Sequence, residues 1–163
     1  MSTGRSFNGS DKPLAGYVRA LATYAAAVAG AVGVGRLRGA RLPDRFTLAE
    51  TVLLVVATHR GSRMLTKDAV LSPLRAPFTR HEGPAGAGEV NEVVAPTASA
   101  HVHAVGELLT CPFCAAVWTA TALLACHVVA PRPARLVTTG LTVVAGADAL
   151  HLLYDALKEH VES

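Results

Sequence analysis

The chain has 163 residues, of which 51% are apolar, 17% charged and 5% aromatic, and its formal net charge is +3. That length supports one domain, the apolar content excludes a wholly disordered chain, and three cysteines are too few for a disulfide scaffold. Soluble domains carry about 25% charged residues; here the cations are scattered between apolar runs, with few aromatics to stack on bases, so no nucleic-acid partner is expected.

Residues 1–13 read as a mobile tail rich in Ser, Gly and Asn. From Leu14 to Val34 the residues are small and apolar, and Arg19 is the one charge, over a length that matches the bilayer hydrocarbon. A retained span fits better than a cleaved signal peptide, because the apolar stretch begins late and no small-residue cleavage site precedes Arg36–Arg45. Thr47-Leu48-Ala49-Glu50 has the capping-box spacing. The helix it opens stops being apolar after Ala57, so a crossing requires it to continue past His59, Arg60 and Arg63 to Leu65, with its cations snorkelling at one face.

Prolines at 73, 77, 84 and 96, with Gly83, Gly86 and Gly88, predict a long polar loop over about 66–105, its part His81–Ala100 exposed and weakly ordered. Leu108–Ala130 has no acid, Lys or Arg and is the strongest span, with Thr110 as N-cap and Pro112 in the first turn. Leu136–Tyr154 follows after a Pro131-Arg132-Pro133 link and predicts an antiparallel helical hairpin. The expected fold is all-α: an integral membrane helical bundle with four transmembrane helices near 14–35, 47–65, 108–130 and 135–156. The membrane domain then covers 14–157, and 158–163 form a C-terminal tail. Its surroundings are the lipid bilayer and a protein partner or further copies of itself.

Cys111-Pro112-Phe113-Cys114 is the most chemical-looking segment. Two thiols three apart on a first helical turn can meet, and free N–H groups there favour a thiolate. The pair reads as a structural thiol pair, as a redox pair, or, with His101 and His103, as a metal site. Asp148, His151 and Asp155 share one face of the last helix. They form either an intramembrane proton or cation path, or an Asp148 paired with a cation such as Arg19 or Arg63 while the other two sit at the boundary. Trp118 and the small-residue runs at Gly30, Gly33 and Gly146 read as packing, with close helix approach at the glycines.

Several ordered segments carry a resemblance. Ser62-Arg63-Met64-Leu65-Thr66-Lys67-Asp68 comes first, then Ser72-Pro73-Leu74-Arg75-Ala76-Pro77-Phe78-Thr79, then Gly88-Glu89-Val90-Asn91-Glu92. Gly106-Glu107-Leu108-Leu109-Thr110-Cys111-Pro112-Phe113-Cys114 through Trp118 completes the set. In this order, over about residues 45–157, the chain resembles the bacterial membrane-protein family labelled "domain of unknown function 1360". The resemblance implies a small multi-pass protein of the bacterial cell membrane, with some relatives linked to sporulation, and brings no reaction, cofactor or catalytic residue. The loop is then expected to present a polar face built from Arg63, Lys67, Asp68, Arg75 and Glu107 beside Cys111 and Cys114. The leading expectation is a non-enzymatic scaffold or partner-binding membrane protein with its cofactor unknown. The alternatives are a thiol–disulfide or electron-transfer protein using the Cys pair, and a proton- or cation-handling protein using Asp148 and His151.

Overall fold

The computed structural model describes residues 14–96 and 99–162, so the tail expected over 1–13 lies outside the described residues. The first helix, α1, runs Leu14–Leu37 and the second, α2, Leu48–Lys67. The capping box forms as expected: Thr47 Oγ1 accepts from Glu50 N at 3.2 Å and Glu50 Oε2 accepts from Thr47 N at 3.0 Å.

The region expected to be a loop is folded. After a 3₁₀ turn at Ala69–Leu71 come a short helix, α3 (Ser72–Arg75), and the antiparallel strands β1 (Thr79–Gly86) and β2 (Glu89–Val94). The fold is therefore mostly helical but not all-α. The breakers that argued for a loop punctuate this hairpin: Pro84 falls within β1, register shifts occur at His81/Gly83 and Pro84/Gly86, and Gly88 turns the chain at φ +73°. Ala69 N donates to Gly88 O at 3.0 Å, which ties the turn of the hairpin to the end of α2.

The third span is interrupted. Helix α4 covers Ala100–Thr110 and α5 covers Pro112–Val129, with Cys111, not Thr110, as the N-cap of α5. Proline lacks an N–H and drives its predecessor out of helical space, and Cys111 accordingly sits at φ −110°, ψ 107°. Pro131 opens α6 after the single residue Ala130, and α6 runs unbroken to Glu162, so Pro133 and residues 158–162 are helical. Among the described residues three helices, α1, α5 and α6, are long and apolar enough to cross a membrane; α2 is not among them.

Helix α2 packs against both α5 and α6, and α1 packs against α4 and α5. Leu54 and Ala57 of α2 meet Leu123 of α5 in the buried centre, flanked by Phe46 and Leu141. Close helix approach is not at Gly30, Gly33 or Gly146, where an added Cβ would meet nothing within 4 Å. It is at Gly16, where a Cβ would strike the Ala100 carbonyl, and at Gly61, where it would lie 2.9 Å from the Thr119 methyl. Trp118 does pack, edge-on to Tyr24 at 5.1 Å between ring centres. The outer faces of α1, α5 and α6 are largely uncovered: Leu21, Phe113, Val143 and Leu150 are among the exposed apolar side chains.

Candidate functional site

At the end of the bundle where α2 stops and α5 begins, the folded connection makes a polar cap. Its centre is Arg75, 1% exposed, paired through Nε with Glu92 Oε2 at 2.8 Å. The guanidinium also donates to the carbonyls of Leu65 (3.1 Å) and Asp68 (2.9 Å), the last turn of α2 and its cap residue. Glu92 accepts further bonds from Ser72 Oγ and from Thr79 Oγ1, the latter at 2.8 Å. Burial pushes the Glu92 carboxyl up, but the bonds from Arg75, Ser72 and Thr79 and the Arg75 charge outweigh it and pull it down to about 2. One side chain thus locks α2, α3 and β2 together, because a buried guanidinium must have its donors answered.

Around this centre the other charges pair off. Arg60 binds Asp68 through two parallel bonds of 3.1 and 2.9 Å, and its Nε lies 2.8 Å from Asp148 Oδ2 at an angle short of a hydrogen bond. Arg63 pairs with Glu89, and the exposed Arg80 with Glu82 at 3.8 Å. Across the cap, Tyr17 of α1 donates to Glu107 of α4, which also stands 3.4 Å from His103 Nε2.

The thiols lie beside this cap, and all three cysteines are unbridged. Cys111 Sγ accepts from Cys114 N at 3.4 Å. Burial raises the Cys111 thiol, but donation from Cys114 and from the Phe113 N–H, with the nearby Lys67 charge, outweighs it and draws its pKa below the ordinary value.

The residues expected to share a polar face thus divide. The Lys67 charge acts on Cys111, and Glu107 lies on α4, the helix that ends just before Cys111. Arg63 and Asp68 are engaged by Glu89 and Arg60, and Arg75 is interior, not presented at the surface. Cys111, Cys114, His101 and His103 do not form a metal-binding group; among the described residues no three His, Cys, Asp or Glu side chains do. Asp148 meets Arg60 instead of Arg19 or Arg63, while His151 and Asp155 are exposed on α6.

Comparison with known proteins places these residues. The model of the family described as protein of unknown function (DUF1360) matches residues 53–154, which run from α2 through the cap and α5 into α6. The chain belongs to this family. A sporulation protein of Bacillus subtilis (strain 168), YjcA, is 30% identical over 103 residues, which are 63% of this chain and 87% of that protein. No solved structure matches the chain.

The family match contains every residue of the Arg75 centre and excludes α1. Sequence reasoning did not assign Arg60, Glu89, Glu92, Ser72 or Thr79 to this network. A usable signal was present in Glu89-Val90-Asn91-Glu92-Val93-Val94, a strand whose Glu92 alone is buried.

Proposed function

We propose that this chain is a four-pass protein of the bacterial cell membrane that acts without catalysis, as a scaffold whose polar cap engages a protein partner during sporulation. The observation that carries this reading is the coexistence of a cap locked by a buried ion pair with helices that leave apolar side chains uncovered along their length. Apolar exposure on that scale calls for lipid or protein around it. In this reading α2 is the fourth span. It is less apolar than the others but packs against both α5 and α6, and Arg60 and Arg63 have carboxylate partners, which lowers the cost of charge at membrane depth. The sporulation context rests on the name of the B. subtilis relative.

Fractionation tests the membrane part: the protein should stay in the pellet through carbonate and high-salt washes, and release without detergent would overturn it. Complementation tests the cap. Substituting the exposed hairpin residues Arg80 and Glu82 should lower spore yield at unchanged protein level; full yield would remove the cap from the function.

A second reading has its own support in the bond from Cys114 N to Cys111 Sγ and in the Lys67 charge that helps to lower the Cys111 thiol. In this electron-transfer reading the two thiols lose two electrons and two protons to a disulfide or quinone acceptor and close an S–S bond. Retained function in a double Cys111→Ser, Cys114→Ser chain excludes it.

A further inference from the structure

The opposite end of the bundle is built differently. The α1–α2 connection, the end of α5 and the first turns of α6 line an open cavity of about 530 Å³. Four arginines line it: Arg38, Arg41 and Arg45 from the connection, and Arg135 from α6. One carboxylate, Glu50, is among the lining residues, and it stands 3.7 Å from Arg135. A smaller pocket of about 140 Å³ shares Glu50, His127 and Arg135 with this cavity and is lined by Thr138. Thr138 is 3% exposed, and its Oγ1 is buried without a hydrogen-bond partner. The Nδ1 of His127 lies 2.9 Å from the Leu123 carbonyl and donates to it, so Nε2 is the ring nitrogen left for another partner.

These features point to a ligand with two chemical parts. Guanidinium groups clustered around one cavity repel each other, and an anion with several acceptor oxygens relieves that repulsion; phosphate matches their fork geometry. A buried hydroxyl without a partner is a donor and an acceptor waiting for a polar group. We propose that this end of the protein is a binding site for a phosphate ester, with Arg38, Arg41, Arg45 and Arg135 on the phosphate and Thr138 on a hydroxyl of its alcohol portion. The ester is either the headgroup of an anionic phospholipid or a soluble polyol phosphate. The lipid source rests on the membrane reading above, and the soluble source does not, so the two can fail separately.

The test uses the full chain in nanodiscs of pure phosphatidylcholine, or of phosphatidylcholine doped with phosphatidylglycerol. Native mass spectrometry reads retained phosphatidylglycerol, and calorimetry in the pure phosphatidylcholine discs reads binding of glycerol 3-phosphate. Retained phosphatidylglycerol without glycerol 3-phosphate binding assigns the site to lipid; binding of glycerol 3-phosphate assigns it to the soluble ester. Replacing Arg41 and Arg45 together by Ala should weaken the bound probe by about tenfold or more, given the strength of charge-assisted bonds. Thr138→Val, which keeps the shape, should weaken it about threefold through loss of one neutral hydrogen bond. Replacing Arg41 and Arg45 by Lys retains the charge but not the fork and should recover part of the binding, above the Ala variants and below the unaltered chain, which separates loss of the site from loss of fold. Arg36 and Arg132, which do not line the cavity, serve as controls. Loss of binding on replacing Arg36 and Arg132 by Ala, equal to that for Arg41 and Arg45, would show a diffuse basic face and overturn the site. Failure of both probes to bind the unaltered chain would overturn it as well, and an unchanged Thr138→Val would remove the hydroxyl contact.

Discussion

The two ends of the bundle use arginine in opposite ways. At the cap, Arg60, Arg63, Arg75 and Arg80 each pair with a carboxylate, and Arg75 is interior. At the other end Arg38, Arg41 and Arg45 are exposed around an open cavity, with Glu50 drawn to Arg135. The same residue type is structural in one place and free to meet a ligand in the other. What differs is the chain between the helices. The long α2–α4 connection contains acids and folds back over its own arginines, whereas the short α1–α2 connection contributes Asp44 alone.

The comparison breaks most visibly at Arg75. Removing either partner strands a buried charge, so Arg75→Ala or Glu92→Ala should cost about 3–5 kcal/mol and expose the hairpin to protease. The same pair sets a pH response. The Glu92 carboxyl is lowered from 4.5 to about 2, so the stability it contributes is full above the higher value and is lost as pH falls through the lower one. The protection of β2 amides against hydrogen exchange, taken relative to the intrinsic rate at each pH, should therefore be full at neutral pH and fall in strong acid; unchanged protection on acidification would show that the pair does not hold the cap.

A smaller effect is expected where α1 meets the cap. At Gly16 the neighbour is the backbone carbonyl of Ala100, which cannot rotate away, so Gly16→Leu should destabilise by about 1–3 kcal/mol. Gly30→Leu, inside the same helix but in open space, should not destabilise and should gain up to about 1 kcal/mol of helix propensity in thermal unfolding in detergent. Equal effects at the two glycines would place the α1 contact elsewhere. Smaller again is Asp148→Asn: its side chain is 49% exposed and Arg60 keeps Asp68, so unfolding should shift by less than about 1 kcal/mol. At the basic end, Arg36→Ala with Arg132→Ala should change stability least, within about 0.5 kcal/mol. A larger loss there would mean that this end, too, is held together by its arginines.

Much of the helical frame was legible because it follows from local rules. The apolar run predicted α1 to within a few residues of Leu14–Leu37, and the Thr47–Glu50 spacing predicted the start of α2. Pro112 was read as tolerated in a first turn, which is correct, but the turn begins a new helix after Cys111 instead of continuing one from Leu108. The hairpin was missed because its glycines and Pro84 look the same in a loop as in a bulged strand; only pairing across β1 and β2 distinguishes them.

By itself, therefore, the sequence determined the apolar helices, the cap of α2, the family-specific order of motifs and the presence of two nearby thiols. Each is a property of residues close together in the chain, where propensity and spacing act directly. The tertiary structure alone decided which charges are spent and which remain. Arg75 and Glu92 are 17 positions apart, Arg63 and Glu89 are 26 apart, and Arg135 reaches back to Glu50. Pairing at those separations depends on how helices cross and where the connection folds, because an ion pair is a contact in space and its partner is not encoded at a fixed spacing.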